Sequence, residues 1–419
     1  MTTYHITAPE RLSATIELPA SKSISNRALI IYALSRGHML PENLSDCDDT
    51  EVIIEALRHM PDTIDIKAAG TAMRFMTAFL SVMNGQTHTL TGTDRMKHRP
   101  IGVLVDAMRR LGAHIEYAGE EGFPPLRITG KTLLGGHLDI PGNVSSQYIS
   151  ALLMIGPVLR NGLTLHLTDE IISRPYIDLT LHIMHEFGAE AEWTDIDTVS
   201  VKPKPYTSRD YLIENDWSAA SYWYEMLLLS GDENAEIRLT GLTDGSRQGD
   251  SMARYIFSLL GVKTTFEEKG EGVPTTITIR RNRMHVPKLE YDFVNAPDLA
   301  QTFVVVCAAM NIPFRFTGLQ TLKIKETDRI EALKREMHKL GYLVRSENDS
   351  VLYWDGDRCE TEADAVIDTY EDHRMALAFA PLACKGGIAI RNPHVVTKSY
   401  PHFWDDLRNA GFTIEEQDR

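Results

Sequence analysis

Residues 182–193 read HIMHEFGAEAEW, and residues 106–116 read DAMRRLGAHIE. In each stretch apolar residues fall at helical spacing, a glycine closes the run, and a strand-like segment follows. A glycine in that place is the left-handed cap that ends a helix. The pattern returns over 252–267, 331–345 and 405–416, where Gly261, Gly341 and Gly411 take the place of Gly112 and Gly188. These glycines recur at intervals of 70 to 80 residues. A fixed period of this kind marks a repeat architecture, and it has to be read before any motif.

A second set of helices runs in phase with the first. Almost wholly apolar segments begin near Ser23, Thr71, Ser145, Ser218, Asp298 and Asp372, each following or opening with a small polar residue able to cap a helix. A helix that is hydrophobic on all sides belongs in an interior. Short strands such as LTLHLT (163–168), TITIR (276–280) and FRFT (314–317) fill the gaps. The chain therefore reads as α/β, built from six copies of a unit with one buried helix, one surface helix and several strands. Its 419 residues exceed one ordinary core, so three copies are expected in each of two domains, each helix trio packed inside a shell of sheets.

Bulk properties exclude several classes of function. Lys and Arg number 43 against 58 Asp and Glu, a net charge of −15, and such a surface repels the nucleic-acid backbone. Cys47, Cys307, Cys359 and Cys384 form no CxxC pair, which argues against a disulfide framework and a zinc site. No stretch approaches the roughly 18 apolar residues of a membrane span, and residues 1–18 lack a leader-like apolar run. A cytoplasmic protein with no membrane and no nucleic-acid partner is expected.

Against this acidic background, cations stand at one helix start after another: Lys22, Arg27, Arg74, Arg99, Arg174, Arg247, Lys325, Arg329, Arg374 and Lys398. A helix N-terminus already carries free N–H groups and partial positive charge, so a cation there is unfavourable until an anion arrives. The set implies a small, highly charged anionic ligand. Asp298 in NAPDLAQT and Glu326 in KETDR are the carboxylates placed to move protons, with His373 beside Arg374. Each also reads as a cap, a surface charge or a satisfied polar residue, and residue types alone leave that choice open.

Nine segments, in order along the chain, resemble the 5-enolpyruvylshikimate-3-phosphate synthases: LPASKSISNRAL (18–29), AGTAMR (69–74), RMKHRPI (95–101), PGNVSSQYISALLM (141–154), ISRPYID (172–178), PDLAQT (297–302), KETDRI (325–330), DHRMA (372–376) and TKSYPHF (397–403). The resemblance implies the enolpyruvyl transferase fold, two domains each of three βαβαββ-type repeats with buried parallel helices surrounded by sheets. One domain would comprise 1–20 plus 215–419 and the other 21–214, with the active site in the cleft between them. It implies transfer of the enolpyruvyl (carboxyvinyl) group of phosphoenolpyruvate to the 5-hydroxyl of shikimate 3-phosphate, through a tetrahedral ketal, in the route to chorismate and the aromatic amino acids.

By the same resemblance, Lys22, Gly70, Arg99, Gln147, Arg329, Arg374 and Lys398 hold phosphoenolpyruvate. Lys22, Ser23, Arg27, Ser145, Ser146, Gln147, Ser173, Tyr176, Asp298 and Lys325 hold shikimate 3-phosphate. Asp298 is the base toward the 5-hydroxyl, and Glu326 with Lys22 protonates the methylene carbon. No metal and no organic cofactor is expected, the chain is expected as a monomer, and glyphosate is expected to inhibit at the phosphoenolpyruvate position. Four positions depart from the usual family residues: Ala68, Thr321 and Glu371 stand where Asn is common, and Phe75 where Pro is common. Two rivals share the fold. A UDP-N-acetylglucosamine enolpyruvyl transferase typically has a reactive cysteine in the loop corresponding to 87–100, and this chain has none there. A non-catalytic phosphate-ligand receptor would not need carboxylates among its cations.

Overall fold

The computed structural model describes residues 2–37, 40–269, 272–282 and 284–418. The chain divides into two compact units, Met1–Pro19 with Glu214–Arg419, and Ala20–Ile213. Each has its own hydrophobic core, and no residue is shared between the two cores.

The repeat is plainest over 136–201. Strand Gly136–Pro141 leads into the buried helix Ser146–Ile155, and strand Leu163–Thr168 into the surface helix Arg174–Glu186. Strands Ala191–Asp195 and Thr198–Val201 close the copy. The first two strands pair in parallel, as they must when a helix connects them, and the others add antiparallel. All five sheets among the described residues have four strands and this same order. Leu163–Thr168 alternates buried and half-buried residues along its length, the period-two signature of a strand with one face on a core. The expected α/β class is the one observed.

The first unit completes its sheets with the N-terminus. Ser13–Glu17 pairs in parallel with Glu236–Leu242, and Thr2–Thr7 joins Thr413–Asp418 and Ile388–Arg391 as the last strand of the final copy. The surface helices end as the sequence suggests, with Gly112, Gly188, Gly261, Gly341 and Gly411 at φ of 98°, 79°, 97°, 85° and 94°. A residue with a Cβ is strained there.

One copy differs from the expected pattern. The segment 20–60 has both helices, Lys22–Leu34 and Asp48–His59, but no sheet of its own among the described residues, only an isolated bridge between Glu42 and Leu212. Its connector (LPEN, 40–43) carries a proline, and Asn43 adopts φ of 58°, neither compatible with an extended ladder. The surface helix Asp48–His59 escaped the glycine pattern because Met60 takes the left-handed cap at φ 41°.

Every residue of the helix Trp217–Leu229 is buried, including Glu225 in its middle. Neither carboxylate oxygen of Glu225 has a hydrogen-bond partner among the described residues. Burial pushes its pKa well above the ordinary 4.5. Burial, with Glu225 adding to it, also raises the thiols of Cys307 and Cys384, the latter to about 12. The stabilising effect of protonation is complete below the unfolded-state pKa and is lost as pH rises toward the folded value. Glu225→Met is expected to raise stability on the order of 1–3 kcal/mol near pH 8, with a smaller gain at pH 5. Urea titrations at the two pH values read both.

Candidate functional site

In the unit containing residues 214–419, helix starts bring together four cations and their carboxylates. Asp298 sits in the short 3-10 turn Pro297–Leu299 that leads into Ala300–Ala309. Asp372 caps His373–Phe379 by accepting from the Arg374 amide at 2.9 Å. Arg329 is the first residue of Arg329–Lys339, whose cap is Asp328. Its guanidinium, 1% exposed, donates through Nε to Asp372 at 2.7 Å, through Nη1 to Asp298 at 2.9 Å and through Nη2 to Glu326 at 2.8 Å. Its donors are thus shared among three carboxylates.

Asp298 also meets Arg374 Nη2 at 3.1 Å and Lys325 Nζ at 3.4 Å, while Glu326 meets Lys398 Nζ at 3.4 Å. Arg374 Nη1 donates to the Tyr222 hydroxyl at 3.2 Å. Burial pushes the Asp298 carboxyl up, but Arg374, Lys325 and Arg329 together outweigh it and hold the pKa well below the ordinary 3.8. The same balance holds Arg329 charged: burial lowers its pKa, and Asp372, Glu326 and Asp298 more than reverse that. The cluster is thus nearly neutral as it stands, its positive charge stored against protein carboxylates that an anionic ligand can replace.

Two features beside this cluster bear on the departures from the family pattern. Thr321 Oγ1, in the turn Gln320–Ile324 that precedes Lys325, is buried with no hydrogen-bond partner among the described residues. Tyr370 and Glu371 both adopt the left-handed conformation, at φ 53° and 57°, immediately before Asp372. Asn tolerates that backbone better than Glu, so Glu371 stores strain next to the cap.

The unit Ala20–Ile213 carries the other expected residues. Lys22 opens the helix Lys22–Leu34 and pairs with Asp49 at 3.4 Å, which offsets the cost of a cation at a helix N-terminus. Gly70 opens Gly70–Val82, and a Cβ there would lie 2.6 Å from Arg99 Nη1. The glycine therefore lets the Arg99 guanidinium rest against the backbone. Gln147 Nε2 donates to Thr71 Oγ1 at 2.9 Å, tying the start of Ser146–Ile155 to the start of Gly70–Val82. Ser145 caps its helix through a long bond to the Gln147 amide, and Ser146 is buried behind it. Ser173, buried at φ 55°, sits at the start of Arg174–Glu186 with no side-chain cap bond. Strain of this kind at a non-glycine residue collects at functional sites.

Arg27 lies among protein partners in this unit. It is 2% exposed and donates to Thr180 Oγ1 at 2.7 Å, the Ser23 carbonyl at 2.8 Å, Ser150 Oγ at 3.2 Å and the Tyr176 carbonyl at 3.4 Å. Its guanidinium lies 5.4 Å from the Phe75 ring centroid. Burial lowers its pKa to about 10, with Tyr176 opposing. Arg27 thus holds Ser23 and Tyr176 in place. Arg74 is likewise structural, donating to the Gly70 and Pro100 carbonyls at 3.0 and 3.3 Å. Arg174 stacks on Trp193 at 3.9 Å, and Arg247 lies exposed on a loop.

Sequence reasoning missed Asp49, Asp372 as a counter-ion, and Tyr222. The capping position of Asp372 was visible, but its pairing with Arg329 spans 43 residues and leaves no local signal. Among the described residues no cluster of His, Cys, Asp and Glu could hold a metal ion, and no helix is long and apolar enough to cross a membrane.

Comparison with known proteins gives the chain a family. The family model for EPSP synthase (3-phosphoshikimate 1-carboxyvinyltransferase) matches residues 6–65 and 59–407. A 3-phosphoshikimate 1-carboxyvinyltransferase of Bacteroides fragilis is 60% identical over 413 residues, covering 98% of each chain. One from Shewanella halifaxensis is 34% identical, covering 95% of this chain and 97% of its own. The solved EPSP synthase of Acinetobacter baumannii superposes with a TM-score of 0.80 at 21% identity over the full length of both chains. The enolpyruvyl transferase NikO of Streptomyces tendae gives 0.73 at 17% identity over 99% of each, and both structures speak for the fold. The chain belongs to the EPSP synthase family and is a transferase, a 3-phosphoshikimate 1-carboxyvinyltransferase of the shikimate pathway.

Proposed function

We propose that the two clusters serve one reaction, on phosphoenolpyruvate and shikimate 3-phosphate. The observation that carries this reading is the convergence of Lys325, Arg329 and Arg374 on Asp298, with Lys398 on Glu326 beside it. Lys22, Gly70, Arg99, Gln147, Arg329, Arg374 and Lys398 take phosphoenolpyruvate. Lys22, Ser23, Arg27, Ser145, Ser146, Gln147, Ser173, Tyr176, Asp298 and Lys325 take shikimate 3-phosphate.

In the resting cluster Asp298 is a weak base, because three cations act on it. Anionic substrates that draw on those same cations restore its basicity only when they are bound. Asp298 then takes the 5-hydroxyl proton as that oxygen attacks C2 of phosphoenolpyruvate, and Glu326, with Lys22, delivers a proton to C3. In the resulting ketal, C3 gives back a proton, the bond from C2 to the phosphate oxygen breaks, and the enol ether remains. The surrounding cations stabilise charge on the departing phosphate. Glyphosate, as a phosphonate-bearing anion, fits the phosphoenolpyruvate positions and is expected to compete there.

Glu326→Gln tests the reading. Phosphoenolpyruvate and shikimate 3-phosphate should still bind, measured by calorimetry, while phosphate release falls on the order of 10²–10⁴-fold. Unchanged release would remove Glu326 from proton transfer. Gly70→Ala tests the phosphoenolpyruvate side. The added methyl pushes on the far end of Arg99, a flexible side chain, so the melting temperature should hold. Phosphoenolpyruvate should bind more weakly, by up to about a hundredfold for an ångström-scale shift.

A further inference from the structure

The helix Arg329–Lys339 holds the segment 366–374 at two places. At its start, Arg329 donates to the Asp372 carboxylate through Nε at 2.7 Å and Nη2 at 3.2 Å. Seven residues on, two turns and about 10 Å along the axis, stands Glu336, on the same face and fully buried. A buried carboxylate is costly unless its oxygens are taken, and those of Glu336 are. Oε1 accepts from the Tyr370 hydroxyl at 2.6 Å, while Oε2 accepts from the Asp368 amide at 3.1 Å and meets Lys339 Nζ at 2.8 Å. Lys339 also donates to the Val366 carbonyl at 3.0 Å and to Asp368 Oδ2 at 2.8 Å. The helix thus grips 366–370 with its last turns and the cap residue Asp372 with its first.

The chain between these grips turns through two left-handed residues, Tyr370 and Glu371, at φ 53° and 57°. The Asp372 amide closes the bend by donating to the Thr369 carbonyl at 2.8 Å. Such a backbone persists only where its surroundings over-determine it. We propose that Glu336 is a positioning residue for Arg329 and Arg374: by holding Tyr370 and the Asp368 amide it fixes the bend from which Asp372 meets both. The inference rests on the reading that these arginines hold phosphoenolpyruvate. Asp372 accepts from the Arg329 guanidinium and from the Arg374 amide at 2.9 Å. A bend that relaxed toward ordinary φ would turn the Asp372 carboxylate, and with it the Arg329 guanidinium and the helix start that carries Arg374. Glu371 makes the hold more necessary, because Asn adopts that backbone more readily than Glu.

The experiment measures steady-state phosphate release in Tyr370→Phe, which deletes only the hydroxyl. Its kcat/KM for phosphoenolpyruvate should fall on the order of tenfold, and up to about a hundredfold for an ångström-scale displacement. The KM for shikimate 3-phosphate, most of whose assigned residues lie in the other unit, should hold. Rescue is the readout that a merely stabilising contact would not give. Glu371→Asn added to Tyr370→Phe does not replace the hydroxyl, but it favours the left-handed backbone, so most of the lost kcat/KM should return. Glu336→Gln keeps the volume and loses one acceptor, so it should show the same selective loss and the same rescue, and it decides the matter if Tyr370→Phe does not fold. Unchanged kcat/KM in both folded variants, or a loss that Glu371→Asn does not recover, would overturn the proposal. Arg374→Gln separates the two levels. A KM for phosphoenolpyruvate unchanged by Arg374→Gln would sink the reading of Arg374 itself, whereas a KM raised there but unmoved in Tyr370→Phe and Glu336→Gln would sink this inference alone.

Discussion

Replacing Arg329 by methionine is expected to lower the unfolding free energy by about 3–5 kcal/mol, read as a shift in the urea midpoint at pH 7. The guanidinium is almost fully enclosed and compensates three carboxylates at once, those of Asp372, Asp298 and Glu326. Methionine fills similar volume, so the loss measures uncompensated negative charge rather than a cavity. Asp372 suffers most, because it is fully buried and held by both Nε and Nη2. The loss should shrink as pH falls toward 4, where protonating the carboxylates removes the repulsion. A change under 1 kcal/mol at neutral pH would mean that the three carboxylates find other partners.

Asp298→Asn is expected to reduce turnover by about 10²–10⁴-fold, with both substrates still binding. The amide keeps the shape of the side chain and can still accept from one or two of the cations, but it cannot take the hydroxyl proton. Stability should respond as well, with a defined sign. The folded pKa of Asp298 is depressed, so its ionised form contributes stability that is present above its unfolded pKa near 3.8 and is lost as pH falls below that value. The wild type should therefore exceed the variant in stability at pH 7, and the gap should close in acid. Because Asp298 stays ionised throughout the working range, an acidic limb of the wild-type rate between pH 5 and 7 should survive in slower variants at this position.

The fold was legible where local chemistry repeats. Glycine at Gly112, Gly188, Gly261, Gly341 and Gly411 is required by backbone conformation, so residue type carries the signal directly. Where Met60 does the same job under strain, the signal vanishes and the helix before it went unread. The missing sheet of the first copy could not be seen either, because strand pairing is decided by partners far along the chain. For the site, cations at helix starts were visible as a set because each is locally unfavourable. Which of them face a ligand was not visible. Arg174 begins a helix as Arg374 does, yet it spends its charge on the face of Trp193. The partners of Arg27 were equally invisible, since Thr180 and Ser150 lie more than 120 residues away. Counter-ions such as Asp49 and Asp372 carry no sequence signature of that role, because only folding brings them to their cations.

The most direct test of the account is phosphate release with phosphoenolpyruvate and shikimate 3-phosphate together, with each omitted in turn, and with UDP-N-acetylglucosamine in place of the shikimate compound. The account predicts release only when both native substrates are present, and its loss in Asp298→Asn and Glu326→Gln. Release with the UDP sugar, or no release in any mixture from a folded protein that binds both ligands, would contradict it.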